Sequence, residues 1–142
     1  MYSYANRKGK GTLKAVQRFR MLHRKISKNN HNTAFVFKAD IRHYFDEVDH
    51  DCLLHMIQLK IKDPKVLWLV QRILNNYSTQ AGKGMPLGNL TSQFFANVYL
   101  NELDHFVKHT LKAQHYIRYV NDFVILPHSP TILQQFKEHS KA

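Results

Sequence analysis

YIRYVNDFVIL, residues 116–126, is the stretch that decides the fold. Two apolar runs rich in aromatic and β-branched residues flank a polar pair, Asn121-Asp122, which is the pattern of a β-hairpin. Asp122 thereby stands at the edge of a strand. Working outward, AFVFKADI (34–41) is a second strand-like run, and it closes on another acid, Asp40. If the two strands are neighbours, two carboxylates meet at one end of a sheet. Unit charges about 4 Å apart repel by roughly 4 kcal/mol at an effective dielectric of 20. A divalent cation between them removes that cost. Hard oxygen ligands suit Mg2+, which also takes substrate phosphates, and paired metal ions clamp the attacking and leaving oxygens of phosphoryl transfer. The competing reading makes each aspartate a turn or capping residue.

Elsewhere the pattern is helical. Thr12 is placed to cap a helix running to about Lys28, with Leu13, Val16, Phe19 or Arg20, and Leu22 to Ile26 as its apolar stripe. KNNHNT (28–33) reads as a turn. Asp49 to Asp51 opens a short helix to about Lys60. Asp63-Pro64, an acidic cap followed by proline at the first helical position, opens a helix over Lys65 to Tyr77 that buries Val66, Leu69, Val70 and Ile73. Residues 78–90 form a loop with Gly82, Gly84, Pro86 and Gly88, and a long helix runs from Thr91 or Ser92 to about Leu111. Ser129-Pro130 starts a last short helix. A strand, then helices, then a hairpin, with no regular strand–helix alternation, predicts an α+β fold rather than a doubly wound sheet.

At 142 residues, with 44% hydrophobic and 22% charged, the chain is of globular composition and one domain or a piece of one. Its lone cysteine, Cys52, excludes an internal disulfide and a multi-cysteine zinc site and reads as a small buried apolar residue. The apolar stretches are too short to span a bilayer and the N-terminus lacks a signal-peptide core, so a soluble cytoplasmic protein without membrane partners is expected. The net charge of +11 is unevenly placed. Residues 1–39 hold ten Lys and Arg, among them Arg7, Lys8, Lys10, Lys14 and Arg18, and no acid. A segregated basic segment is the footprint of a polyanion, usually nucleic acid. A solvated basic helix is the plainer alternative. An acidic membrane surface ranks third, because the segment lacks a strong apolar face with Trp anchors. His105 and His109 have helical i, i+4 spacing, but no third metal ligand is evident.

Three motifs occur in order: KADIRHYFDEVDH (38–50), GMPLGNLTSQFFANVYLNELD (84–104) and YIRYVNDFVIL (116–126). Together they closely resemble the palm motifs of reverse transcriptases, and YANRKGKGTLKAV (4–16) is similar to the family's segment between fingers and palm. The resemblance implies a palm over 34–142, a small antiparallel sheet with helices packed on one face, preceded by a basic finger-derived arm and helix over 1–33. It implies RNA-directed DNA polymerisation, in which a primer 3′-OH attacks a dNTP on an RNA template. The implied cofactor is two Mg2+ ions, with Mn2+ as a substitute. Asp40 and Asp122 become metal ligands, and Asn121 takes the remaining catalytic position. Phe45 becomes the steric gate against a ribose 2′-OH. Pro86, Leu87, Gly88, Ser92, Gln93, Asn97 and Tyr119 surround the incoming nucleotide. Each has a structural alternative: a core Phe, an ordinary loop glycine, an N-cap at Ser92, a strand aromatic at Tyr119.

Most of the family carries Gln-Gly-x-x-x-Ser-Pro in the second motif. Here it reads Leu87-Gly88-Asn89-Leu90-Thr91-Ser92-Gln93, which is similar to the reverse transcriptases of diversity-generating retroelements, with retron-like and group II-like enzymes close by. An aliphatic side chain before the glycine makes no hydrogen bond to a nascent base pair and constrains it less. The hairpin departs further, with Asn121 where the family has Asp. On this resemblance, finger strands upstream and a thumb downstream are also expected to be missing. The chain is therefore expected to be a fragment: an enzyme weakened by Asn121, an inactive nucleic-acid-binding remnant, or one part of a split reverse transcriptase. Its expected partners are an RNA template, a DNA primer or cDNA, dNTP, and an accessory nucleic-acid-binding protein or a complementary fragment.

Overall fold

The computed structural model describes residues 2–86, 88–127, 129 and 134. The chain divides into two compact units, residues 1–40 with 103–142, and residues 41–102. The boundary expected near residue 33 falls inside the first unit.

The first unit holds helix α1 (Thr12–Ile26), strand β1 (Phe37–Asp40) and the hairpin β2 (Tyr116–Tyr119) and β3 (Asp122–Ile125). Among the described residues the sheet is three-stranded and antiparallel, in the order β1-β3-β2. The register pairs Phe37 with Ile125 and Asp40 with Asp122. Alternation sends successive residues to opposite faces, and both faces are packed. On one, Val107, Ala113, Tyr116 and Ile125 form a buried cluster with Phe37, Leu103 and Phe123 around it. On the other, Leu22 of α1 packs on Ile117 and Leu126, with Ala15, Phe19, Ile26 and Val124 alongside. The second of these faces carries α1, the basic helix expected ahead of the palm.

The stripe of α1 is Ala15, Phe19, Leu22 and Ile26, spaced four, three and four. Leu13 and Val16 are exposed instead. Thr12 is the first helical residue and does not cap; the N-cap position is Gly11, at φ 132. The segment expected to be one helix to Leu111 is broken. Helix α5 (Leu90–Tyr99) ends in the second unit, and α6 (Asn101–His105) leads into a π-helical turn over Phe106–Thr110.

In the second unit, α2 (Tyr44–Glu47), α3 (His50–Gln58), α4 (Pro64–Asn75) and α5 surround a core containing Leu53, Ile57, Val70, Leu74 and Phe95. The acidic cap expected at Asp63 is made, its carboxylate accepting from the Lys65 amide, and Asp49 caps α3 in the same manner, accepting from the Cys52 amide. Helix α4 buries Val70 and Leu74, whereas Val66 and Leu69 face outward, so its buried face is rotated from the expected one. Cys52 is exposed near the start of α3, since capping geometry rather than apolarity sets its place. The helix expected from Ser129-Pro130 lies outside the described residues. No helix of the described residues is long and apolar enough to cross a membrane.

Candidate active site

Hairpin pairing brings three of the expected catalytic residues together at one end of the first unit's sheet. Asp40 and Asp122 are direct cross-strand partners, and Tyr119 pairs with Asp122 from the other side. Directly opposite residues hold their Cβ atoms about 4.5–5.5 Å apart, and like charges there are destabilising. The surrounding residues offset that repulsion. Asn121 Nδ2 donates to Asp40 Oδ1 at 2.6 Å. Lys38, two residues before Asp40 on the same strand face, sets its ammonium 3.5 Å from Asp122 Oδ1. That ion pair is solvent-exposed on both sides, so it is weak and salt-sensitive. Tyr119 is partly exposed, and its hydroxyl accepts from Thr12 Oγ1 at 3.0 Å, tying the first turn of α1 to the end of β2.

Val120 and Asn121 form the two-residue turn between the strands. Val120 has φ 55, an outlier for a β-branched residue, and such left-handed backbone costs about 1–2 kcal/mol without glycine. Something outside the turn must hold it. Arg118, wholly buried, donates from Nη1 to the Val120 carbonyl at 2.9 Å. Its Nε and Nη2 grip the two oxygens of the equally buried Asp104 at 2.7 and 2.9 Å. Tyr116 donates to the same carboxylate at 2.8 Å, and burial together with the Asp104 charge pushes its phenol well above the ordinary tyrosine range. Sequence reasoning missed Asp104, Arg118, Lys38 and Thr12. The one readable signal was an arginine inside an apolar strand, which demands a buried acid somewhere.

The basic residues of the first unit are mostly exposed. Arg7, Lys8, Lys14 and Arg18 are open to solvent, while Lys10 lies 4.4 Å over the Tyr4 ring. Partial burial, then the Arg7 charge, lowers the Lys10 ammonium below its usual range; partial burial and Arg18 do the same to Lys108. These cations sense one another, and an anion among them would relieve the repulsion.

Apart from Tyr119, the residues expected around the nucleotide fall within the second unit. Phe45 is half-buried on α2, with its ring edge-on to Tyr44, and its carbonyl accepts from the Met85 amide at 2.7 Å. Gly84 donates to the Val48 carbonyl, and its own carbonyl takes a 2.7 Å bond from the His50 ring. The loop leading to Pro86 is therefore fastened to the backbone that carries Phe45. Gly84 has no room for a side chain: at φ 102, a Cβ would lie 2.7 Å from Thr79 Oγ1. Gly88, at φ 89, has open space around it, so its left-handed backbone and not crowding selects glycine there. Leu87 lies outside the described residues. Asn89 occupies the N-cap position of α5, and Ser92 is buried within the helix, so Ser92 is not the cap. Gln93 and Asn97 share a face, with Asn97 Nδ2 donating to the Gln93 carbonyl at 3.3 Å. His105 and His109 stack at 5.4 Å, and no group of three metal-ligating side chains of the His, Cys, Asp and Glu type occurs among the described residues.

The donor chemistry at the hairpin fits a hard cation. Two exposed carboxylates face each other, and the groups already drawn to them are an ammonium and an amide N–H, both positive ends. The set holds two anionic side chains, Asp40 and Asp122, because Asn121 contributes a neutral one.

Comparison with known proteins agrees with this geometry. The family model described as "Reverse transcriptase (RNA-dependent DNA polymerase)" matches residues 1–142. A Lactococcus lactis protein described as "Group II intron-encoded protein LtrA" is 40% identical over 76 residues, 49% of this chain and 13% of that protein. A Schizosaccharomyces pombe protein described as "Uncharacterized 91 kDa protein in cob intron" is 33% identical over 97 residues, 64% of this chain and 12% of its own length. The chain thus spans about an eighth of the length of these relatives. In fold, the apo telomerase of Candida tropicalis superposes with a TM-score of 0.67 at 14% identity, covering 99% of this chain and 30% of that one. With a family match over its whole length and a hairpin that pairs Asp122 with Asp40, the chain belongs to the reverse transcriptase (RNA-dependent DNA polymerase) family.

Proposed function

We propose that this chain is the palm portion of a retroelement reverse transcriptase, taking part in RNA-directed addition of dNTP to a primer 3′-OH. The observation that carries the reading is the cross-strand pair Asp40–Asp122 beside the Asn121 turn. Asp40 and Asp122 would hold a divalent cation, Mg2+ or Mn2+. Such an ion supplies charge neutralisation and a lowered hydroxyl pKa in phosphoryl transfer. The chain's own part is to keep the two carboxylates opposed on the sheet, with Tyr119 beside them. Phe45, Pro86, Leu87, Gly88, Ser92, Gln93 and Asn97 would bind the nucleotide, with Phe45 excluding a 2′-OH. Arg7, Lys8, Lys10, Lys14 and Arg18 would follow the nucleic-acid backbone.

Single-nucleotide incorporation on an RNA template with a DNA primer tests the reading. Incorporation that Asp122→Asn abolishes supports it. A second reading, nucleic-acid binding without polymerisation, is favoured by Asn121, whose amide N–H points at Asp40 where the family has an acid. Its signature is no incorporation but salt-sensitive affinity for RNA. Contacts to roughly four to six phosphates give a log–log salt slope near −3 to −5, and a flat response would remove the basic segment from the interface. Within the retroelements, the likeness to group II intron-encoded proteins supports one branch, and Leu87 before Gly88 supports the error-prone diversity-generating branch. Misincorporation confined to template adenines would select the latter.

A further inference from the structure

We infer that the buried Asp104–Arg118 pair is a positioning device for the catalytic turn, an inference that rests on the proposed function for its chemical purpose. Arg118 is held through three guanidinium donors and through its own carbonyl. Its guanidinium spans Asp104 and the Val120 carbonyl. Its own carbonyl accepts from the Tyr4 amide at 2.8 Å, and Ser3 bridges to it in parallel. Asp104 in turn accepts from the Tyr116 hydroxyl and the Tyr2 amide. The N-terminal arm therefore lies along the outer edge of β2 and closes the network from outside.

A merely structural ion pair has no need to reach the turn. This one places its third bond on the carbonyl of Val120, the residue whose left-handed backbone is disfavoured. Asn121 and Asp122 follow directly in the chain, so the orientation of the Val120 peptide sets where their side chains point. A planar guanidinium can hold a carboxylate with two donors and a carbonyl with another; a lysine ammonium in the same place cannot match that fork. Arg118 thus acts on Asp40 and Asp122 through the turn, without touching them.

The test uses the 15N-labelled chain and backbone order parameters. In the wild type, residues 120–122 should be as rigid as the sheet, near 0.85. Arg118→Lys, which keeps the charge opposite Asp104, should drop residues 120–122 below about 0.6 while Ile117 and Val124 stay rigid. Val120→Gly added to Arg118→Lys should restore an ordered turn, because glycine accepts the left-handed backbone unaided. If Arg118→Lys does not fold, the apolar combination Asp104→Leu, Arg118→Met and Tyr116→Phe replaces it, since buried ion pairs exchange for packed apolar groups without loss of stability in many folds. An unchanged turn in a folded variant, or a loss of order spread over the whole sheet, overturns the inference. Mn2+ titration, read by paramagnetic broadening at Asn121 and Asp122, gives a separate arm. Affinity should fall about tenfold or more in the variant, as it does when groups behind metal ligands are removed; equal affinity there overturns the inference too. Absence of Mn2+ broadening in the wild type would instead sink the metal reading of the proposed function, leaving the order parameters to decide the role of Arg118.

Discussion

Replacing Asn121 by aspartate should make the fold less stable without divalent metal and strongly metal-responsive with it. The substitution removes the 2.6 Å bond from Nδ2 to Asp40 Oδ1 and puts a like charge in its place. Losing a hydrogen bond costs about 1 kcal/mol in the ordinary case, and solvent exposure of this pair keeps it at that value rather than at the higher one for charged groups. Carboxylates about 4 Å apart repel by about 1 kcal/mol in bulk water and about 4 kcal/mol at a dielectric of 20. Asp40 and Asp122 are exposed, so the lower half applies and the sum is about 2–3 kcal/mol. For a chain of this size that lowers Tm by roughly 5–12 °C in EDTA. A cation bound at a hundred times its Kd returns about 2.7 kcal/mol, enough to cancel the deficit. Thermal denaturation in EDTA, Mg2+ and Mn2+, at matched ionic strength to remove general screening, reads both effects. Wild type should shift far less on adding metal than Asn121→Asp. Equal Tm values in EDTA, or equal metal responses, would refute the claim that the Asn121 amide occupies the place of a cation between acids.

Two further outcomes follow from the packing. Tyr116 has its folded pKa raised above the ordinary 10.0 by burial and then by the Asp104 charge. Its contribution is fully present below pH 10.0 and is lost as pH rises above that value, because only the unfolded chain ionises there; Tyr116→Phe should flatten the alkaline fall seen in denaturant titrations between pH 9 and about 11. Gly84→Ala should destabilise the second unit by about 1–3 kcal/mol, since its Cβ would lie 2.7 Å from Thr79 Oγ1 and 3.0 Å from the Thr79 amide at a left-handed φ. Gly88→Ala, with open space at the same sign of φ, should cost less in urea denaturation, and equal costs would show that crowding at Gly84 has no weight.

Local chemistry carried much of the architecture. The hairpin, the capped starts at Asp49 and Asp63, the glycine loop and the acid at the end of β1 each follow from interactions a few residues long, so they were legible in the chain. The motif order made the family legible too. Direction of burial was less so. Helix α1 offers two plausible stripes, and only docking on Ile117 and Leu126 selects Ala15, Phe19, Leu22 and Ile26 over Leu13 and Val16. The break after Tyr99 and the π-helical turn over Phe106–Thr110 likewise answer to packing, because the residues there are all acceptable in a continuous helix. The candidate site divides the same way. Asp40, Asn121 and Asp122 were marked by residue type at strand ends. The pairing of Asp40 with Asp122, the amide of Asn121 turned on Asp40, and the grip of Arg118 on the turn join residues up to 82 positions apart, and long-range register has no local signature. An arginine in an apolar strand announced that a buried acid must exist; only the tertiary fold could say that the acid was Asp104 and that the third bond went to the turn.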